Sequence, residues 1–119
     1  MCYRLFYVRA ESSGIFYLKL FEMKIIYNNL IPFPGYSAMM LFGVIFARKK
    51  YKPLSASTVN HEEIHDAQAR DCHGYFFYYL RYLWQWIRHG YRNNPFEVEA
   101  YYNERNPDYL KTRKPFAWK

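Results

Sequence analysis

The sequence predicts an α+β fold with about three helices and a small sheet, and three observations lead to that prediction. The first half of the chain contains short runs of β-branched and aromatic residues, separated by residues that favour turns. From residue 56 onward, the spacing of capping residues and glycines is typical of helices. A length of 119 residues with 14 Tyr and 10 Phe allows one domain with an adequate core.

The domain itself is expected to span residues 23–106. Residues 1–22 have no clean apolar stretch before a cleavage site, so we interpret them as an N-terminal extension or a peripheral strand rather than a signal peptide. Residues 107–119 are expected to form a basic C-terminal tail. No segment reaches the ~18–20 apolar residues that a membrane span needs.

The strands are expected in the first half of the chain. Residues 15–27 predict one or two short strands, because β-branched and aromatic residues cluster there ahead of the turn-forming pair Asn28 and Asn29. A further turn is expected at 32–35, which holds two prolines and a glycine. The apolar run at 39–48 has the length of one buried strand, with a short helix as the alternative.

Three helices are expected in the second half, at residues 56–72, 75–89 and 95–104. Gly74 separates the first helix from the second, and Gly90 is expected to cap the second at its C-terminus. Residues that favour helix N-termini stand at the other two boundaries, namely Ser55, Ser57 and Thr58 for the first helix and Asn94 with Pro95 for the third.

The first helix carries the pattern H-E-x-x-H, as His61, Glu62 and His65. Residues four apart lie on one face of a helix, so both imidazoles can bind the same metal ion. A glutamate after the first histidine can take a proton from a metal-activated water. The motif therefore supplies two metal ligands and a candidate catalytic base. Three neighbouring polar residues, Glu63, Asp66 and Gln68, are expected at the surface. For Asp66 and Gln68, the alternative is a hydrogen bond near the motif.

A third protein ligand is expected from the stretch that begins the third helix. Glu97 and Glu99 are two residues apart and diverge by about 200° around a helix, so only one of them can face the metal. The pair Asn94 and Glu97 also fits a capping box, which would occupy Glu97 at the helix terminus. Less favoured ligand candidates are Cys72, His73 and His89.

The segments HEEIHDAQ and FEVEAY, within residues 36–104, resemble the zincin metallopeptidases of the gluzincin type. In particular they resemble the minigluzincins, small soluble relatives of the membrane-bound CAAX prenyl protease family. That resemblance implies a minimal zincin-like domain, with Zn²⁺ between the first and third helices and Glu97 as the third ligand. Ala100 matches the small residue of the second motif. Tyr101 stands where the family has an aspartate that supports a metal-bound histidine, which places the surroundings of the metal in question.

The function implied by the resemblance is zinc-dependent hydrolysis of a peptide or protein substrate, with Glu62 as the general base. A hydroxyl from Tyr101 or Tyr102 is the candidate for stabilising the oxyanion. Two alternatives remain open: a catalytically inactive, zinc-stabilised interaction module, and a basic, aromatic adaptor at a membrane surface.

Charge and aromatic content suggest where a partner would bind. The net charge is +7, and the basic residues cluster at 48–52 and 111–119. No nucleic-acid-binding motif accompanies them, so specific nucleic-acid binding is not expected. The helix at 75–89 is rich in Tyr, Phe and Trp and could meet a protein or a membrane surface, with Arg81, Gln85 and Arg88 on its wetter side. Cys2 and Cys72 lack metal-ligand or redox spacing and are expected to be free thiols of a cytoplasmic protein, with a peripheral location at a membrane as the alternative.

Overall fold

A computed structural model of the chain describes residues 2–9 and 16–119, with side chains described from residue 23 onward. It confirms the predicted α+β fold, with three long helices and a small mixed sheet. Three sections of the chain follow one another: a β-hairpin, the mixed sheet, and a helical region that carries the predicted motif.

The strands form two separate sheets. Strands β1 (Cys2–Arg9) and β2 (Phe16–Met23) pair antiparallel with each other. In the second sheet, β3 (Ile25–Asn28) pairs parallel with β5 (Val44–Arg48), which pairs antiparallel with β4 (Ala38–Leu41). The order is therefore β3-β5-β4, and β4 is an edge strand among the described residues.

The prediction of a single strand at 39–48 is wrong, because the chain reverses in its middle. Phe42 and Gly43 both adopt positive φ, at 51° and 82°, and connect β4 to β5 in a tight turn. A glycine suits the second of these positions, since it has no Cβ to oppose the left-handed backbone. A cluster of apolar residues on both sides concealed this turn in the sequence.

The helices begin and end close to the predicted residues. Helix α1 spans Ala56–Asp71, α2 spans Tyr75–His89 and α3 spans Pro95–Asn103. Ser55 caps α1 by accepting a hydrogen bond from the backbone N–H of Thr58, as predicted. The other predicted boundaries are also confirmed: Gly74 and Gly90 have positive φ at the two ends of α2, and Asn94 caps α3 ahead of Pro95.

The core lies between the mixed sheet and the helices. Ile45 and Ala47 of the central strand β5 are fully buried, as is Phe96 of α3. Helix α1 is the central element, because it contacts β4, α2 and α3. No helix in the described part of the chain is both long and apolar enough to cross a bilayer.

The segment after α3 packs onto the domain, a feature that the sequence did not indicate. It contains the short helix α4 (Tyr109–Thr112) and ends with Trp118, which is 9% exposed and lies against Phe96 at 4.6 Å between ring centroids. Arg113 is buried as well, and its guanidinium bonds to Asp71 and Glu99 at 2.6 Å each. Arg113 is therefore part of the packed structure, whereas Lys111, Lys114 and Lys119 are exposed.

Candidate metal centre

The ligand candidates on α1 and α3 meet at one point. His61 and His65 lie one turn apart on α1, and Glu97 reaches them from the first turn of α3. The Nε2 atoms of His61 and His65 are 3.1 Å apart. Glu97 Oε1 lies 3.1 Å from His61 Nε2, and Glu97 Oε2 lies 3.3 Å from His65 Nε2. No second group of this kind occurs among the described residues.

The spacing of these atoms fits a zinc ion. Ligand atoms that lie about 2.0–2.2 Å from a tetrahedral zinc ion are about 3.3 Å from one another. The separations of 3.1 to 3.3 Å in this group agree with that value. Two imidazoles and one carboxylate are also the ligand set that leaves a fourth position open for chemistry.

Gln68 fixes the ring orientation and the tautomer of His65. Its amide N–H₂ donates to the carbonyl of Phe96 and to Glu99 Oε1, both at 2.9 Å. The amide oxygen must therefore face His65 Nδ1, which lies 2.8 Å away and donates its proton. Nε2 of His65 then faces Glu97 and His61, and in the neutral ring it offers the lone pair that a metal ligand requires.

A carboxylate also lies next to the outer nitrogen of His61. Glu104 Oε2 is 3.2 Å from His61 Nδ1 but forms no hydrogen bond with it, and His61 Nε2 faces the ligand group. Tyr101, which replaces the family aspartate, instead packs its ring against that of His61 at 4.5 Å between centroids. Glu104, one turn further along, thus places a carboxylate near the His61 ring, where Tyr101 contributes ring packing.

Glu97 is held by a neutral donor. The hydroxyl of Tyr82 donates to its Oε2 at 2.5 Å. Burial raises the pKa of Glu97, but the charge of His65 and the hydrogen bonds of His61, His65 and Tyr82 lower it below its usual range. Burial lowers the pKa of His65, whereas Glu97 raises it to about 9. The group as a whole therefore stabilises a positive charge at the point where its atoms converge.

Glu62 lies beside this group rather than in it. Burial raises the pKa of its carboxyl group, although the two imidazoles and a hydrogen bond from the backbone of Met40 act in the opposite direction. Glu62 follows His61 on α1, next to Met40 of β4, and lines the same cleft as the three ligand candidates. A buried carboxylate with a raised pKa is suited to accept a proton near neutral pH.

A cleft of about 320 Å³ leads to the group. Strand β4 and the turn before it form one wall, and α2 forms the other. His61, Glu62, His65 and Glu97 lie at its base, and the walls are lined mainly by aromatic and aliphatic side chains. A deep, apolar cleft with a few polar groups at its base is typical of a ligand-binding site.

Three surface predictions around the motif are wrong. Glu63, Asp66 and Gln68 are 3%, 6% and 0% exposed. The sequence could not reveal this, because α1 is covered on all sides by β4, α2 and α3. The alternative for the last two is instead correct, since Gln68 bonds to His65 and Asp66 accepts a hydrogen bond from Tyr75.

Glu99 points away from the ligand group. Arg113 Nε donates to its Oε2 at 2.6 Å, and Tyr109 donates to the same oxygen at 2.7 Å. Tyr102 is 87% exposed and borders a different groove, so the prediction that it faces a substrate at the metal is wrong. The less favoured ligands lie outside the group too: Cys72 is buried in the core, and His73 and His89 are exposed.

Sequence reasoning missed Glu104, Tyr82 and Tyr91. Glu104 is seven residues after Glu97 and so lies on the same side of α3, which is the signal that could have found it. Tyr91 lines the cleft and its hydroxyl lies 3.0 Å from that of Tyr101. No sequence motif indicates this hydroxyl group in the wall of the cleft.

Comparison of the chain with protein-family models, with curated proteins and with solved structures finds no match. The interpretation of the site therefore depends on its own residues and geometry.

Proposed function

We propose that this protein is a zinc-dependent peptidase, with His61, His65 and Glu97 as the metal ligands. The observation that carries the proposal is the convergence of these three buried side chains at 3.1 to 3.3 Å. Gln68 is bonded to the outer nitrogen of His65, and Tyr82 is bonded to Glu97. Zn²⁺, when bound there, would supply the Lewis acidity that polarises a peptide carbonyl and activates water.

The chain's own residues account for the proton transfers. Glu62 accepts a proton from the attacking water and passes it to the nitrogen of the leaving amine. Its raised pKa supports both steps, because the protonated form must also give up its proton. Tyr91 and Tyr101, whose hydroxyls are bonded to each other, are the candidate donors to the oxyanion.

The ligand assignment is tested by comparing the two glutamates of α3. Glu97→Gln removes a ligand, so zinc affinity should fall steeply. Glu99→Gln leaves the ligand group intact and should affect mainly stability, through Arg113. Zinc titration with a competing chelator measures both. Equal zinc affinities in the two variants would show that Glu97 is not a ligand.

The mechanism is tested by Glu62→Gln, which keeps the shape of the side chain but cannot accept a proton at neutral pH. Zinc affinity should be unchanged and peptide cleavage should be lost. Glu63→Gln is the matched control, because Glu63 is equally buried but does not line the cleft. A Glu62→Gln variant that cleaves peptides as fast as the parent contradicts this mechanism.

A second candidate function is attachment to an anionic membrane surface. Helix α2 exposes at least half of each of six large apolar side chains, namely Phe76, Phe77, Leu80, Leu83, Trp84 and Ile87. Arg81 and Arg88 flank this stripe, and α2 contains no acidic residue. Co-flotation with anionic but not neutral vesicles would support it. The double variant Leu80→Ser with Ile87→Ser should float less than the parent. Its control is Val98→Ser, at an exposed apolar position on α3. Absence of flotation, or equal flotation of all variants, contradicts it.

A further inference from the structure

We propose that the cleft accepts only peptides with a free N-terminus and releases one or two residues from that end. This inference rests on the proposed peptidase function, and it concerns the substrate rather than the metal. It arises from the shape of the cleft, which is closed at one end by contacts between α2 and the turn after β4.

The closure is made by Tyr79. Its hydroxyl donates to the carbonyl of Met40 at 3.3 Å and accepts from the backbone N–H of Phe42 at 3.1 Å. These backbone groups belong to the edge strand and its turn, where an extended peptide would otherwise form hydrogen bonds. The ring of Phe42 also packs on that of Tyr79 at 5.3 Å between centroids.

Tyr75 completes the closure one turn earlier on α2. A Cβ atom placed on Gly43 would lie 2.7 Å from the Tyr75 hydroxyl oxygen, so helix and turn are in direct contact there. The opposite end of the cleft differs. It is bordered by Phe33, Tyr36 and Trp86, which are 77%, 46% and 49% exposed. A chain can therefore extend from the metal in one direction only.

The distance to the closed end limits how many residues fit. Glu62 contacts the backbone of Met40, and the contacts of Tyr79 run from the carbonyl of Met40 to the N–H of Phe42, two residues further along. Two residues of extended chain span about 7 Å. The space beyond the reacting bond therefore accommodates one or two substrate residues.

Charge and strand direction both favour the N-terminus at the closed end. No lysine or arginine lines the cleft, so a substrate carboxylate at the closed end would have no protein cation to pair with it, whereas the lining does contain two carboxylates, Glu62 and Glu97. A protonated amine suits the same surroundings. A peptide that pairs antiparallel with β4 also places its N-terminal end beside the C-terminal end of β4, which is the closed end.

The resulting reaction is the hydrolysis of the first or second peptide bond. The oxygen of water joins the carbonyl carbon, the C–N bond breaks, and the proton held by Glu62 goes to the new amine of the shortened peptide. One amino acid or dipeptide is released with a new carboxylate.

One peptide in four forms tests this with the zinc-loaded full chain: both ends free, N-acetylated, C-amidated, and blocked at both ends. Mass spectrometry should show stepwise loss from the N-terminus, unaffected by amidation, and N-acetylation should slow cleavage by at least ~100-fold. Internal cleavage of the doubly blocked peptide would overturn the inference.

Binding of amino acid hydroxamates separates this inference from the peptidase proposal, because no turnover is needed. Leucine hydroxamate with a free amine should bind at least about tenfold more tightly than an acetyl-dipeptide hydroxamate, as measured by competition for the zinc-loaded protein. Tyr79→Ala should remove that preference, whereas Tyr79→Phe, which retains the ring, and Tyr102→Ala, outside the cleft, should keep most of it. Equal binding of the two hydroxamates to the parent overturns the inference. If the preference holds and no peptide is cleaved, the peptidase proposal fails and the one-ended cleft stands.

Discussion

Helices α1 and α2 invert the usual relation between polarity and burial. In α1, every residue from Val59 to Ala69 is buried, and seven of these are polar or charged. In α2, Tyr78 alone is fully buried, while six large apolar side chains are at least half exposed. In these two helices, burial therefore follows the packing of neighbouring elements more than the hydrophobicity of the side chains. Buried polar groups are tolerated where each has a bonding partner.

The largest expected effect comes from removing both imidazoles. His61→Ala with His65→Ala should abolish the stabilisation by zinc, which amounts to about 4 kcal/mol at a thousandfold excess of free zinc over its dissociation constant. Thermal unfolding with and without zinc measures it. The matched control is His73→Ala with His89→Ala, since both of these histidines are exposed and lie outside the group. The same loss in both double variants would mean that zinc does not bind at α1.

Next in size is the loss of the buried cation beside α1. Arg113→Met leaves Asp71 and Glu99 without the guanidinium, and should lower the free energy of unfolding by about 3–5 kcal/mol. Lys111→Met breaks only the exposed pair with Asp108 and should cost less than about 1 kcal/mol. Urea unfolding in zinc-free buffer compares them. Similar values for the two variants would show that the Arg113 network contributes no more than a surface pair.

A smaller effect is expected for the residue that positions His65. Gln68→Met keeps the length of the side chain but removes the acceptor of the Nδ1 proton, and should weaken zinc binding by about 10–100-fold. Gln85→Met, on the half-buried side of α2, should leave zinc affinity unchanged. Chelator competition provides the measurement. If Gln68→Met binds zinc like the parent, the histidine does not depend on this hydrogen bond.

The smallest effect is expected on the exposed face of α2. Ile87 is 70% exposed, so Ile87→Ser should change the free energy of unfolding by no more than about 0.5 kcal/mol. Tyr78→Ala, at the buried position of the same helix, should cost about 3–5 kcal/mol. Urea unfolding measures both values. If Ile87→Ser lowers the free energy of unfolding as much as Tyr78→Ala, the side chain of Ile87 is covered and the prediction is wrong.

Local sequence signals predicted the elements of this fold that depend on local chemistry. Caps and glycines located the helix boundaries at Ser55, Gly74, Gly90 and Asn94 within a residue or two. The turn at Phe42 and Gly43 was missed, because apolar residues continue across it without the usual polar turn signals. The antiparallel pairing of β4 and β5 followed from that turn and was missed with it.

Spacing along the sequence could predict only the part of the candidate site that lies on one helix. His61, Glu62 and His65 were identified from their spacing, and Glu97 from a resemblance. The placement of Glu99 depends on Arg113, fourteen residues later, and that of Gln68 on the packing of α3 over α1. Such contacts arise from tertiary structure, and no local pattern encodes them.

The donors to the two glutamates of α3 differ in a way that separates their charges. Glu99 is bonded to the guanidinium of Arg113, whose positive charge it shares with Asp71, so part of its negative charge is offset within the protein. Apart from the two imidazoles of the ligand group, Glu97 is bonded to the phenol of Tyr82, which contributes a hydrogen bond but no charge. The electrostatic attraction of Glu97 and of ionised Glu62 therefore remains available, and together the two carboxylates balance a dication. With a neutral donor at Glu97 and a cationic donor at Glu99, the stronger negative charge remains on the carboxylate that we propose as the metal ligand.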